Sequence, residues 1–309
     1  MYLYITTRSE PEIQLIEAEC LAITGSAPDD RGIALSEREA DVSRASYVKT
    51  CMKVLIRVSE LSHLYNQLEK LGLSSEQFRV SVVKLPRRLH LDSQQVMHQV
   101  GARIGGTPNL SSPRTVFLVV ATEEEIWLGE VLSEASGAWS EHSQKAHLYS
   151  SALPTRLARA MINLVAVPGD RIIDPCCGSG TILIEATSIG VRSVGCDINP
   201  KLATISAENL RHFGLSSLVL VADARDIKGD FDAVVTDLPY GRNCPMDEQL
   251  CSEILQNMKN LAHKAAVVTG EDMSGLLLQM GYDVDKVISV PKTSLTRYIH
   301  ITRVSSDSS

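Results

Sequence analysis

No run in this 309-residue sequence is long and apolar enough to cross a bilayer, and its first ten residues lack the basic segment and hydrophobic run of a secretory leader. The expectation is a cytoplasmic protein without membrane association. Also missing is any C-x-x-C pair among the seven cysteines, Cys20, Cys51, Cys176, Cys177, Cys196, Cys244 and Cys251. An odd count with several thiols in apolar surroundings favours reduced cysteine over disulfides. Adjacent Cys176 and Cys177 rarely both reach one zinc, and no matched second pair follows at ribbon or finger spacing. His142 and His147 are poorly spaced for one helical face, so no metal site is expected.

Two further absences narrow the ligand. Arg171-Ile172-Ile173 reads as a short buried strand entering Asp174-Pro175-Cys176-Cys177-Gly178-Ser179-Gly180-Thr181, with an apolar helix over 182–189 behind it. Gly178 and Gly180 let the backbone approach a ligand closely, and the helix opening supplies unpaired N–H donors. The third glycine of a dinucleotide fingerprint is missing, because Leu183 stands in its place. No lysine follows the loop as a nucleotide-triphosphate loop requires. The pattern excludes NAD and ATP as natural ligands.

What is present suits an adenosine with a cationic tail. The next strand, over 192–196, ends in Asp197, about twenty residues past the loop, where a strand-end carboxylate can accept both ribose hydroxyls. Another strand over 217–221 ends near Asp223, placed to accept from an adenine amino group. Each aspartate alone is an ordinary cap or solvated strand end, but three at successive strand ends define a pocket. S-adenosylmethionine has both required parts.

A fourth strand over 231–236 runs into Asp237-Leu238-Pro239-Tyr240-Gly241. This cluster presents a carboxylate, a backbone carbonyl and an aromatic ring together, which suits an exocyclic base amine. Such an amine is a poor nucleophile because its lone pair is conjugated with the ring. Acceptors on its two N–H bonds, here Asp237 and the Leu238 carbonyl, push the nitrogen toward tetrahedral geometry as it attacks. Pro239 restrains Leu238 to extended backbone, and Tyr240 offers a face for base stacking.

The periodicity divides the chain. Residues 136–145 are polar and aperiodic, so 137–153 reads as a linker before a doubly wound α/β sheet over 154–304 that closes with an antiparallel hairpin, followed by a frayed tail over 305–309. Strands are expected near 171, 192, 217, 231, 264, 282 and 297, with helices near 157, 181, 201, 248 and 271. The front half reads as α+β, with strands over 1–5, 47–58, 78–83, 115–121 and 125–130 around helices at 11–20, 60–71 and 93–104.

These motifs carry a resemblance. Asp174 to Thr181, Asp197, Asp223 and Asp237 to Gly241 resemble those of class I amino-methyltransferases, whose catalytic segment is usually Asp/Asn-Pro-Pro-Tyr/Phe. Leu238 departs from it, keeping the carbonyl and losing one ring. The stretch over 61–132, with Phe78-Arg79-Val80-Ser81-Val82, a helix ending at Gly105-Gly106 and Asn109-Leu110 before Pro113, resembles a THUMP domain, an RNA-capturing module. With Pro154-Thr155-Arg156-Leu157-Ala158-Arg159-Ala160-Met161-Ile162-Asn163-Leu164 and Ser294-Leu295-Thr296-Arg297, nearly the whole chain resembles the THUMP-containing tRNA guanine-N2 methyltransferases, most closely those acting on guanosine 10.

The resemblance implies a ferredoxin-like region over 1–59, a THUMP domain over 60–136 and a Rossmann-like methyltransferase domain over 154–304. It implies S-adenosylmethionine as cofactor, held by Asp174, Cys176, Gly178, Ser179, Gly180, Thr181, Asp197, Ile198, Asp223 and Ala224. It makes Asp237, Leu238, Pro239 and Tyr240 the catalytic segment and tRNA the partner. Mono- versus dimethylation and the need for an accessory subunit stay open. Methylation of adenine N6 or cytosine N4 on another RNA or DNA, and a non-catalytic RNA-binding role, are the alternatives.

A formal net charge of -7 runs against polyanion binding, yet distribution matters more than total. Over 79–114 six basic residues, Arg79, Lys84, Arg87, Arg88, Arg103 and Arg114, face the single acid Asp92. Arg79, Lys84, Arg87, Arg88 and Arg103 are the expected RNA contacts.

Overall fold

A computed structural model describes residues 1–150, 152–239, 248–292 and 295–305. They form two compact units, one of Met1–Thr7, Ile23–Ser43 and Val48–Ala135, the other of Arg8–Ala22, Arg44–Tyr47 and Ser136–Ser309. The front of the chain runs β1 (Tyr2–Thr6), α1 (Ile13–Thr24), β2 (Ile33–Ser36), β3 (Val48–Val58), α2 (Leu61–Leu71), β4 (Phe78–Lys84), α3 (Ser93–Gly101), β5 (Thr115–Ala121) and β6 (Ile126–Glu134). The rest runs α4 (Thr155–Val165), β7 (Arg171–Asp174), α5 (Thr181–Ser188), β8 (Arg192–Asp197), α6 (Pro200–His212), β9 (Leu218–Val221), β10 (Ala233–Asp237), α7 (Glu248–Met258), β11 (Lys264–Thr269), α8 (Ser274–Gln279), β12 (Tyr282–Lys292) and β13 (Leu295–Val304).

The first unit is one six-stranded sheet in the order β2-β1-β3-β6-β5-β4, antiparallel except for the parallel pair β4 and β5. The stretches expected as 1–59 and 60–136 share this sheet, because β3 pairs with β1 on one side and β6 on the other. β5 explains its unbroken apolar run by burying both faces: Phe117 and Val119 pack with Leu64, Leu68, Val96 and Val100 of α2 and α3, whereas Leu118 and Val120 pack with Leu3, Met52 and Trp127. α3 starts where Asp92 accepts from the Gln94 and Gln95 N–H groups, both at 3.0 Å. α2 stops at Gly72, whose φ of +60° favours glycine.

The second unit bears out the doubly wound expectation. Its seven strands lie in the order β12-β13-β11-β10-β7-β8-β9, and β11, β10, β7, β8 and β9 are parallel. β13 runs antiparallel to β11 and forms the closing hairpin with β12. Alternation of strand and helix forces this arrangement, since parallel neighbours need a crossover that covers a sheet face. One core joins α4 (Leu157, Met161, Ile162) to α5 (Ile182, Ala186) and to Ile172, Val235 and Ala266 of the sheet.

Part of the N-terminal segment belongs to this unit. Leu15 and Ile16 of α1 and Tyr47 join the α4 core. Glu19 is fully buried and accepts from Ser46 N at 2.8 Å, Tyr47 N at 2.6 Å and Asn163 Nδ2 at 2.8 Å. Among the described residues no helix is long and apolar enough to cross a membrane.

Candidate active site

Strand polarity gathers the aspartates. β7, β8 and β10 are parallel neighbours, so Asp174, Asp197 and Asp237, each the last residue of its strand, share the carboxyl edge of one sheet. The order in which strands are added switches sides between β7 and β10, since β8 and β9 extend one side and β11 the other. Open α/β sheets bind ligands at the carboxyl side of such a switch point.

Asp174 is buried, with Thr236 Oγ1 donating to it at 2.8 Å and Cys176 N at 3.1 Å. Burial pushes its carboxyl up to about 8, and the negative charges of Asp237 and Asp197 add to the rise, against the two hydrogen bonds. Asp197 ties the strand ends together by accepting from Gly178 N at 2.9 Å and Asn199 N at 2.8 Å. The loop turns on Gly178 (φ +51°) and Gly180 (φ +83°). A Cβ at Gly178 would meet open space, whereas one at Gly180 would run into Ser206 Oγ. Gly178 thus leaves room beside the loop, and Gly180 permits close packing of α5 against α6.

The other cofactor candidates differ in setting. Ile198 follows Asp197 and is 68% exposed, an apolar surface beside a carboxylate, while Ala224 is buried. Asp223 is committed: Arg225 Nε and the Arg225 backbone N–H donate to its Oδ1 at 3.0 and 2.9 Å, and Nη2 to Oδ2 at 2.7 Å. These hydrogen bonds hold its carboxyl down at about 2. An adenine amine would have to share oxygens already engaged by a guanidinium. Cys176 and Cys177 sit in the loop with thiols raised chiefly by burial, so they stay protonated and pack.

Asp237 is half-buried beside Val268 of β11. Leu238 is only 2% exposed and packs in the core that contains Ile173, Ala224, Cys251 and Leu255. Its N–H donates to the Val268 carbonyl at 3.1 Å, a bond a proline could not make. Burial and that hydrogen bond restrain the segment where a second ring is lacking. Pro239 is half-buried, and Tyr240 lies outside the described residues.

Several residues near the loop were not singled out from sequence. Thr236 and Asn209 are buried, and Asn209 Nδ2 donates to the Ser179 carbonyl at 3.0 Å and to the His147 carbonyl at 3.1 Å. Lys145 donates to Thr181 Oγ1. Only Thr236 carried a local signal, a hydroxyl next to the strand-end aspartate.

The expected RNA contacts lie in the first unit and divide by exposure. Arg87 and Arg88 are exposed between β4 and α3, and Arg79 and Lys84 are half-buried, with Lys84 Nζ donating to the Leu91 carbonyl at 3.4 Å. Arg103 is absorbed locally: Nε donates to Glu69 at 2.9 Å, Nη1 reaches Gln99, and the guanidinium stands 4.8 Å from the Tyr65 ring centroid.

Comparison with known proteins finds relatives of one kind. The chain is 35% identical over 202 residues, 61% of its length, to a tRNA (guanine(10)-N2)-dimethyltransferase of Methanothermobacter thermautotrophicus. It is 32% identical over 222 residues, 67% of its length, to one of Pyrococcus abyssi. It covers 59% and 66% of those two relatives, less than two thirds of either. The crystal structure of TrmN from Thermus thermophilus shares the fold over 98% of this chain and 99% of that one, at a TM-score of 0.51 and 21% identity. Residues 143–283 match the methyltransferase domain of the UPF0020, RMKL-like family.

Proposed function

We propose that the chain is an S-adenosylmethionine-dependent tRNA methyltransferase that modifies the N2 amine of a guanosine, at position 10. The observation that carries the proposal is the placement of Asp237, with its Leu-Pro continuation, across the switch point from Asp174 and the glycine loop. The relatives named for guanosine-10 N2 dimethylation support the base and the position.

The residues present fit the cofactor. Three carboxylates suit a cation, Gly178 leaves open space, and the exposed Ile198 offers an apolar face to a purine. Asp197 would hold the ribose, and the 178–181 loop the amino-acid part. When bound, the cofactor supplies an electrophilic methyl group on a sulfonium.

The chain's own contribution is positioning. Tyr240 stacks the flipped guanine, and Asp237 with the Leu238 carbonyl accepts hydrogen bonds from the two N2 N–H groups, so that the nitrogen moves toward tetrahedral geometry and its lone pair leaves conjugation with the ring as attack begins. The surplus proton leaves after transfer. Of the basic residues in the first unit, exposed Arg87 and Arg88 suit phosphate contact, whereas Arg103 is engaged by Glu69 of α2 and by Gln99 of α3.

Loss of a well-aimed acceptor costs a barrier ~3–4 kcal/mol, so Asp237→Ala should slow single-turnover methylation of tRNA by about a hundredfold or more. Calorimetric affinity for S-adenosylmethionine should stay within about threefold. A rate within about threefold of wild type would remove Asp237 from the reaction.

A further inference from the structure

The segment expected as a linker is fastened to the glycine loop. It opens with a 3-10 turn, Ala138–Ser143, whose His142 is buried and holds Glu185 of α5 through Nδ1 at 2.8 Å. Glu185 also accepts from Arg159 Nε at 2.7 Å. Five residues on, His147 N donates to Asn209 Oδ1 at 2.8 Å, and the same Asn209 side chain reaches the Ser179 carbonyl of the loop. Lys145 stands between these anchors, and its ammonium donates to Thr181 Oγ1, the first residue of α5.

That ammonium is oddly placed for a lysine without a purpose. Among the described residues its hydrogen-bond partner is a hydroxyl, and the nearby carboxylate, Glu185, is taken by Arg159 and His142. Burial lowers its pKa to about 8, partly opposed by Glu185. A desolvated cation beside the positive end of a helix is costly without an anion. Two residues before Thr181 the Ser179 hydroxyl is buried and, among the described residues, has no hydrogen-bond partner, which independently marks a polar position awaiting a ligand.

We propose that Lys145 is a cofactor-binding residue whose ammonium, with the Thr181 and Ser179 hydroxyls, takes the carboxylate of the cofactor's amino-acid part. The proposal rests on reading the 174–181 loop as the S-adenosylmethionine cradle, and it makes the 138–149 segment part of that cradle rather than a passive connection. A charge-assisted hydrogen bond of this kind corresponds to roughly ten- to a hundredfold in affinity.

The test is calorimetric titration of the full chain with S-adenosylmethionine and with its decarboxylated analogue, which keeps the sulfonium and the amine. Wild type should prefer the carboxylated ligand by about tenfold or more, Lys145→Met should bind it about ten- to a hundredfold more weakly and lose the preference, and Lys145→Arg should restore most of it. The proposal is overturned if wild type shows no preference, if Lys145→Met weakens both ligands equally, or if that variant loses affinity for tRNA alone. Failure of wild type to bind either ligand would instead overturn the cofactor reading on which it stands.

Discussion

Asp174 differs from the other aspartates of the site by its burial, and that difference has a measurable consequence. A carboxyl raised to about 8 keeps its proton in the folded chain at neutral pH, whereas an unfolded carboxyl loses it near pH ~4. The stabilising contribution is therefore fully present below about pH 4 and is lost as pH rises through about 8. A permanent sulfonium entering beside Asp174 and Asp197 favours the ionised form, so binding should expel a proton. At about pH 6.5, titrations in buffers of different ionisation enthalpy should show a release approaching one proton per cofactor, abolished in Asp174→Asn. Binding without proton release would show that the cation does not reach this carboxylate. The aspartates were legible as strand-end residues because the apolar runs before them are short and strongly β-forming. Their inequality was not: the seal over Asp174 by Thr236 and the occupation of Asp223 by Arg225 depend on neighbours that only folding brings together.

Elements with clear periodicity were read well, and those defined by tertiary packing were not. The strands of the second sheet and its closing hairpin stand where alternation placed them, whereas β2, a short run set in a stretch rich in Asp, Arg and Glu with no alternating element beside it, was not read. The role of α1 escaped for another reason. Its pattern does not disclose that Glu19 faces a core, since a lone acid on a helix is ordinarily solvated. Glu19→Ala would strand the Ser46 and Tyr47 N–H groups and the Asn163 amide in a buried position. At ~1–3 kcal/mol for each uncompensated group, partly relieved by relaxation, the loss should reach roughly 3 kcal/mol, read as a lower denaturant midpoint for the second unit. A loss below about 0.5 kcal/mol would mean that α1 is dispensable to that unit.

At the scale of the whole molecule, two units with different chemistry share a chain whose net charge of -7 would by itself argue against RNA. Over 79–114 the local balance is basic, and the structure leaves fewer of those groups exposed than their number suggests. Charge sign along a sequence can be read directly, but whether a guanidinium faces water or a neighbouring carboxylate cannot. That gap explains why Arg103 looked equivalent to Arg87 and Arg88.

The most direct measurement is nucleoside mass spectrometry of unmodified tRNA transcripts incubated with the chain and S-adenosylmethionine, using wild-type RNA and RNA substituted at guanosine 10. The account predicts N2-methylated guanosine from the first and none from the second. Methyl groups on adenosine or cytidine, or equal guanosine methylation of both transcripts, would contradict it.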